Sequence, residues 1–422
     1  MTPSTHSFDA RLLRKCLSAL GNPPIRLVLG DRIEAAPPGA RPVATVFLPD
    51  RRALLSLLLH PEMAFGDGYS DGAIRVEGDL VALLDVVSRT MQHAHAGEWY
   101  FKLVSRWLNL SQNNSLRGSA KNIHRHYDLD VNFYKLWLDS QLVYTCAYFP
   151  SPDASLEEAQ IAKMDHVCRK IQLQPGERVV EAGCGWGALA IHMAKHYGAN
   201  VRAFNVSKEQ IAFARQRAAR EGLSHQVEFI LDDYRNISGS FDAFVSVGML
   251  EHVGTAHYAE LAAAIHRAIG DSGRGLLHFI GRNFDRPLSP WIRKHIFPGA
   301  HAPVLSAVMK MFEPFDASVL DVENLRFHYA KTLEHWLARF ERARDRVAAM
   351  FDEEFVRMWR LYLAGSEAAF RVGDLQLFQI VFAGSQCQRI PWTRAYLYEE
   401  ERAHEKLSAD KEAKWMHATS SS

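Results

Sequence analysis

The chain has 422 residues, of which 48% are hydrophobic, and its formal net charge is +1. This length is sufficient for two domains with a substantial core, and the near-zero charge argues against a nucleic-acid binder that depends on bulk electrostatic attraction. There is no run of 18 apolar residues and no signal-peptide pattern at the N-terminus, so neither a membrane span nor a cleaved leader is predicted.

Residues 1–110 are predicted to form a small mixed α/β domain. The segments 25–30 and 44–49 have strand composition, 51–72 predicts a helix followed by a loop, and 78–91 predicts a helix capped by Asp79. A polar, patternless stretch at 111–122 is interpreted as a linker to a larger domain over 123–398. The charged tail, 399–422, is expected to be solvated.

From about residue 160 the pattern alternates between strands and helices. The predicted strands are 178–182, 200–204, 226–231, 241–247, 273–280 and 374–385, and the predicted helices are 186–197, 207–222 and 256–269. Ser207 is the expected cap of the second helix, with Gln210 at the capping-box position. Buried strands separated by helices predict a parallel sheet covered on both faces, which binds ligands at the carboxyl ends of its strands.

A glycine-rich turn, with Gly183, Gly185 and Gly187, follows the first of these strands. Such a turn lets the backbone approach a ligand at a helix N-terminus. A dinucleotide site would require G-x-G-x-x-G and an acid ending the second strand, and neither is present. The pattern therefore favours a shorter nucleoside ligand, with a tightly packed turn that binds nothing as the alternative.

Polar residues follow the next two strands. Asn205 and Gln210 can hydrogen-bond ribose hydroxyls, Asp233 can accept from an adenine amine, and Tyr234 can stack on the ring. The alternative for Asp233 and Tyr234 is an ordinary loop pair. Together, the three strand ends predict a pocket for S-adenosylmethionine.

The motifs EAGCGWG, LDDYRN and SVGMLEHVG occur here in the order and spacing seen in cyclopropane-fatty-acid synthases and mycolic-acid methyltransferases, a family that the chain resembles. Segments 126–149, 289–299 and 323–341 carry the resemblance further, so that it covers roughly 120–398. It implies a Rossmann-like class I S-adenosylmethionine-dependent methyltransferase fold with a smaller N-terminal α/β domain. One departure is Asn205, where the family often has threonine.

The resemblance implies that a methylene group passes from S-adenosylmethionine to the cis double bond of an unsaturated phospholipid acyl chain, which closes a cyclopropane ring. It also implies that bound bicarbonate acts as the base. The implied ligands of that ion are Cys146, Glu251, His278, Ile280 and Tyr329, with the backbone N–H groups of Cys146 and Ile280 among the donors. Each side chain also has a structural alternative. The cysteine can simply pack in the core, the glutamate can cap a helix, the histidine can be a core residue whose hydrogen bonds are satisfied, and the tyrosine can have a purely structural role.

Four further residues complete the predicted cofactor site. By resemblance, Tyr144 and Thr145 contact the methionine end of the cofactor. Trp186 is expected to begin the helix after the glycines, where its ring can wall the cofactor. Cys184 is interpreted as a packed side chain, because no local motif supplies it with a base.

The segment 291–315 combines Arg293, Lys294 and His295 with large apolar residues. The hypothesis is that it lies with the N-terminal domain on an anionic membrane surface; the alternative is a lid helix packed on the core. The resemblance implies a homodimer. The five scattered cysteines, none in CxxC, indicate a reducing cytoplasm without a metal site, and the protein is expected at the inner face of the membrane.

The main functional alternative is a fatty acyl C-methyltransferase that makes a methyl-branched product on the same scaffold. A small-molecule methyltransferase is disfavoured by the additional N-terminal domain and by the apolar segment 291–315. A non-catalytic lipid-binding protein would be expected to lose the glycines or Glu251, which are present. A nucleic-acid methyltransferase would need a basic face.

Overall fold

The computed structural model describes four stretches of the chain: residues 3–30, 33–39, 41–95 and 129–398. The predicted linker at 111–122 and the predicted tail at 399–422 lie outside the described residues, and the domain boundaries stay predictions. The described part contains a four-stranded and a seven-stranded β-sheet. We call residues 3–95 the N-terminal unit and residues 129–398 the C-terminal unit.

The N-terminal unit is built around the small sheet, in the order β2-β1-β3-β4. Its elements are α1 (Pro3–Ala19), β1 (Arg26–Leu29), β2 (Ile33–Ala35), β3 (Ala44–Leu48), α2 (Arg51–Leu59), α3 (Pro61–Asp71), β4 (Arg75–Gly78) and α4 (Leu80–His95). The two predicted strands and the helix capped by Asp79 are confirmed. The loop predicted after α2 is wrong: Pro61 starts a new helix there, which ends at Gly72 in the left-handed conformation.

The large sheet has the order β10-β11-β9-β8-β5-β6-β7. Its strands are β5 (Arg178–Ala182), β6 (Asn200–Asn205), β7 (Val227–Leu231), β8 (Ala243–Val247), β9 (Arg274–Gly281), β10 (Ser318–Asn324) and β11 (Gln376–Ala383). The predicted parallel pairing is confirmed for β5 to β9. The strand predicted near the C-terminus is β11, but it pairs antiparallel with both neighbours, and its partner β10 was not predicted.

Helices cover both faces of this sheet, so β8 and β11 are buried along their whole length. The helices of the C-terminal unit are α5 (Val131–Tyr134), α6 (Leu156–Lys170), α7 (Ala188–Tyr197), α8 (Lys208–Arg220), α9 (Tyr258–Ile269), α10 (Pro290–His295), α11 (Leu305–Met309), α12 (Arg326–Arg342), α13 (Arg344–Met350) and α14 (Glu353–Val372). The sheet is a Rossmann-like doubly wound sheet, and the N-terminal unit is a smaller α/β unit beside it, as predicted.

Helix α14 joins the two units, because it packs on α3 and α4 as well as on α12. Arg360 donates to the Tyr69 hydroxyl at 2.7 Å, and Arg357 donates to the backbone oxygen of Ser70 at 2.9 Å. The two units therefore share an interface, and these polar contacts fix the position of α14 against α3.

The segment 291–315 packs partly against the N-terminal unit. Trp291 is buried, and its ring lies so close to Gly66 that a Cβ there would come within 2.3 Å. Lys294 and His295 both contact Asp67, at 3.0 and 2.8 Å. The segment therefore packs partly on the N-terminal unit, while Lys294 and His295 stay exposed, and its contact with a membrane stays a prediction.

Candidate active site

The three glycines of the turn after β5 all have positive φ: 86° at Gly183, 51° at Gly185 and 85° at Gly187. A Cβ on Gly187 would lie 2.7 Å from the ring of Phe229, and one on Gly183 would lie 3.0 Å from Met249. A Cβ on Gly185 would meet no atom within 4 Å. The outer glycines therefore serve packing, whereas the middle one presents bare backbone to open space.

Trp186 does not begin the following helix as predicted, because α7 starts at Ala188. The left-handed glycine that precedes α7 delays its start. The indole is buried against the rings of Tyr134 and Phe213, with centroids at 5.7 and 5.3 Å, and forms a wall beside the turn. Cys184 is also buried, which raises the pKa of its thiol well above the ordinary value.

The carboxyl end of β6 is tied to the glycine turn through Asn205. Its amide nitrogen donates to Gln210 Oε1 at 2.7 Å and to the backbone oxygen of Gly185 at 3.4 Å. Ser207 caps α8 as predicted, but the predicted capping box is not formed. The Gln210 side chain is engaged by Asn205, so these two amides form one unit at the predicted ribose position.

Asp233 and Tyr234 lie at the carboxyl end of β7, and both are buried. Asp233 accepts from the backbone N–H of Arg235 at 3.0 Å, and burial raises the pKa of its carboxyl. The Arg235 guanidinium lies 5.0 Å from the centre of the tyrosine ring. The structure thus fixes the shape of this loop, and the adenine contacts stay predictions.

Glu251 is buried next to the end of β9. One carboxylate oxygen accepts from the backbone N–H of Ile280 at 2.6 Å, while the other has no hydrogen-bond partner among the described residues. Burial raises the pKa of this carboxyl to about 7, although the N–H bond lowers it. The Ile280 amide is therefore already occupied by the carboxylate, which differs from the expectation that it donates to an anion.

His278 lies two residues before Ile280, so both side chains are on the same face of β9. Its Nδ1 lies 3.0 Å from the amide nitrogen of Gln379 on the neighbouring strand. With that amide donating, the ring proton is on Nε2, which is buried without a partner in the described part of the chain. Burial, followed by the nearby charge of Lys163, holds the pKa of His278 well below its usual value, so the ring is neutral.

Cys146 lies in a loop that contacts α12, the helix that carries Tyr329. The Cys146 thiol is fully buried, which raises its pKa, and it donates to the oxygen of Ala147 at 3.1 Å. The N–H of Ala147 donates to the Thr332 hydroxyl at 3.0 Å, one turn along α12 from Tyr329. The tyrosine ring packs on Phe370 with centroids 4.5 Å apart.

Buried aromatic rings surround the loop that precedes Cys146. The hydroxyl of Tyr144 is 2.7 Å from that of Tyr362 on α14. The ring of Tyr144 has three aromatic neighbours with centroids at 5.3 to 5.5 Å: Tyr134, Trp137 and Trp336. With Phe133 and Trp359 they form the aromatic cluster, whose rings pack against one another beside this loop.

Sequence reasoning missed the polar residues that support this loop from α6. Gln160 donates to the backbone oxygen of Thr145 at 2.9 Å, and Lys163 donates to its hydroxyl at 3.0 Å. A signal was present, because Leu156, Gln160, Lys163 and Val167 share the buried face of one helix. A glutamine and a lysine on an apolar face indicate polar partners in the interior.

A family model described as mycolic acid cyclopropane synthetase matches residues 114–380. A probable fatty acid methyltransferase of Pseudomonas putida is 36% identical over 389 residues, covering 89% of this chain and 96% of the relative. Cyclopropane-fatty-acyl-phospholipid synthase of Escherichia coli K12 is 40% identical over 259 residues, covering 61% and 66% of the two chains. The mycolic acid cyclopropane synthase CmaA1, solved with SAH and CTAB, superimposes with a TM-score of 0.59 at 32% identity, covering 62% of this chain and 97% of that one.

Proposed function

The chain belongs to the mycolic acid cyclopropane synthetase family, and from this premise we propose that it cyclopropanates unsaturated acyl chains of membrane phospholipids. At the coarser level it is an S-adenosylmethionine-dependent enzyme that methylates or cyclopropanates fatty acyl chains, on a Rossmann-like methyltransferase fold. The finer proposal is that a methylene group is added across a cis double bond, with bicarbonate as the base.

The observation that carries this proposal is a pair of buried polar atoms without partners at the end of β9. One carboxylate oxygen of Glu251 can accept a hydrogen bond, and Nε2 of His278 can donate one. Bicarbonate combines a hydroxyl donor with anionic acceptors, so the donor set fits it. When bound, it supplies a base for the proton that leaves the transferred methyl group.

Each residue has a distinct task in the proposed mechanism. His278 stays neutral and donates from Nε2, which orients the ion without adding a positive charge. Glu251 holds the hydroxyl hydrogen of the ion at its free carboxylate oxygen and so raises the basicity of the ion. The aromatic cluster stabilises the positive charge that develops on the acyl chain after methyl transfer.

A second candidate function is supported by the Pseudomonas putida relative, a probable fatty acid methyltransferase that aligns with almost the whole chain. Both reactions begin with methyl transfer to the alkene. They differ in whether the new methyl group then loses a proton to close the ring, so the product distinguishes the two functions.

The test is mass spectrometry of fatty acids after the purified protein is incubated with cis-unsaturated phospholipid vesicles and methyl-trideuterated S-adenosylmethionine. Cyclopropanation leaves two deuterons on the added carbon and consumes the double bond, whereas a methyl-branched alkene, formed when the cation loses a proton from the acyl chain, retains three. Cyclopropane formation should require bicarbonate and fail in Glu251→Gln, whereas Glu334→Gln, an exposed glutamate on α12, should behave like the parent. A product with three deuterons would favour the methyl-branched reaction and remove the role given to the base.

A phospholipid substrate also requires contact with a membrane, and we propose reversible binding of a homodimer at the anionic cytoplasmic face. Among the residues that the structure describes, no helix is both long and apolar enough to cross a bilayer. Phe8, Leu55 and Leu59 are exposed apolar side chains, and Arg52 is exposed on the same helix as the two leucines. If this exposed face of the N-terminal unit meets the membrane, Arg52→Glu should weaken binding to anionic vesicles at low salt, and unchanged binding would contradict that placement. Analytical ultracentrifugation tests the dimer.

A further inference from the structure

Lys163 is a buried cation that contacts Thr145, a residue of the predicted cofactor site. Only 2% of the residue is exposed, and its ammonium makes one hydrogen bond to the described residues, to the hydroxyl of Thr145 at 3.0 Å. In the described part of the chain, no carboxylate oxygen lies within the 4.0 Å of an ion pair with it. A buried ammonium without a direct counter-charge is costly, and a nearby anion would offset that cost.

Two buried carboxyls, Asp139 and Glu181, act on Lys163 electrostatically and raise the pKa of its ammonium, but neither forms an ion pair with it among the described residues. Burial lowers the pKa of the ammonium to about 8, so it is still largely protonated at pH 7. Burial also raises the pKa of Glu181 to about 7, and one oxygen of that carboxyl has no hydrogen-bond partner among the described residues. Asp139 is engaged by the backbone N–H groups of Gln141 and Val143.

Thr145 is held so that its hydroxyl hydrogen is available to a ligand. Lys163 donates to its hydroxyl oxygen, and Gln160 fixes its backbone oxygen. The Thr145 methyl group lies only 3.0 Å from where a Cβ on Gly248 would be, so the side chain packs against bare backbone there. Because the lysine uses an acceptor site of the hydroxyl, the O–H is left to donate. Thr145 is only partly buried, so the residue is not sealed in the core.

We propose that Lys163 is the positioning residue for the α-carboxylate of S-adenosylmethionine, acting through Thr145. The ammonium orients the threonine hydroxyl to donate to that carboxylate and supplies the positive charge that the anion needs in a buried site. This inference rests on the proposed function, because it presupposes that the cofactor occupies the pocket. Bicarbonate carries a similar anionic group and is the other candidate for this charge.

The experiment compares two ligands of the full-length protein by calorimetry. S-adenosylhomocysteine carries the amino-acid carboxylate, whereas 5′-methylthioadenosine has the same nucleoside without it. Lys163→Met should weaken S-adenosylhomocysteine binding by about tenfold or more, since a charged hydrogen bond contributes about 1.5–3 kcal/mol. Binding of 5′-methylthioadenosine should be unchanged.

Thr145 variants test whether the lysine acts through the hydroxyl. Thr145→Val should show the same ligand-selective loss, Thr145→Ser should recover most of the affinity, and Lys163→Met with Thr145→Val should lose no more than either single variant. If Lys163→Met does not fold, the valine and serine variants still decide whether the hydroxyl serves the carboxylate.

Three results would overturn the inference. Equal weakening of both ligands would indicate a structural lysine. Unchanged S-adenosylhomocysteine affinity with an increased KM for bicarbonate would assign the charge to bicarbonate, and additive losses in the double variant would separate the lysine from Thr145. If the parent protein itself fails to bind S-adenosylhomocysteine, the proposed function fails rather than this inference alone.

Discussion

Replacing Glu251 with glutamine should stabilise the protein at alkaline pH while abolishing cyclopropanation. The carboxyl is buried, and its pKa is raised from 4.5 to about 7. Between these two pH values the unfolded chain has lost this proton while the folded chain still holds it. The folded state therefore binds more protons, and stability falls as pH rises until the full penalty is present above pH 7.

The size of the effect follows from that pKa. At about 1.4 kcal/mol per pKa unit, the raised pKa of Glu251 corresponds to a loss of about 3 kcal/mol in the free energy of unfolding above pH 7. The glutamine variant does not suffer this loss, because its side chain does not ionise. With about 2.1 cal/mol/K of unfolding entropy per residue, 422 residues that unfold together would gain about 3 to 4 °C in Tm. The amide can still accept from the Ile280 N–H, so that contact survives the change.

The assay is thermal unfolding of the parent and of Glu251→Gln from pH 4 to pH 8.5, without ligands. Any cost of the amide itself is present at every pH and is measured at pH 4, so the prediction concerns the difference between the two Tm curves. This difference should grow from pH 4.5 to 7 and then level off, whereas Glu334→Gln should give a curve parallel to the parent. If the Tm curves of the parent and of Glu251→Gln are parallel, burial does not raise the pKa of the Glu251 carboxyl in the parent, and the predicted pH dependence is wrong.

Three further predictions follow from the same geometry. Gly187→Ala should cost about 2 kcal/mol or more of stability because its Cβ meets Phe229, whereas Gly185→Ala should mainly weaken S-adenosylhomocysteine binding, as thermal melts and calorimetry will show. Gln379→Leu should lower kcat about tenfold without changing cofactor affinity, because His278 loses the partner that selects its tautomer; an unchanged kcat would refute this role. All five cysteines are buried, so the native protein should react with a thiol reagent at pH 8 far more slowly than the unfolded chain, and equal rates would contradict that burial.

The sequence predicted those parts of the fold that depend on local patterns. Strands β5 to β9 are short apolar runs bounded by turn residues, and the helices between them have apolar spacing on one face, so each could be recognised by itself. The order of β10 and β11 could not be recognised, because an antiparallel edge pair depends on partners distant in sequence. Strand β10 is also only half-buried, and its charged residues hid its pattern.

The candidate site divides in the same way. Residues inside motifs, such as Glu251 and His278, were predicted, whereas Gln379 and Lys163 were not. Gln379 contacts His278 across 101 positions of the chain, so no local spacing links them. Lys163 could have been noticed as a charge on an apolar helix face, but only the fold shows that this face lies under Thr145. Sequence motifs thus indicate groups that meet ligands, and the supporting groups emerge from tertiary contacts.

The candidate site retains polar atoms that would destabilise an ordinary protein core. The free oxygen of Glu251, Nε2 of His278 and the ammonium of Lys163 are each buried with fewer partners than their chemistry allows. Each raises the free energy of the ligand-free fold, and a ligand with complementary groups removes that cost when it binds. The same atoms therefore account for the instability expected of the empty site and for the selectivity expected of the filled one.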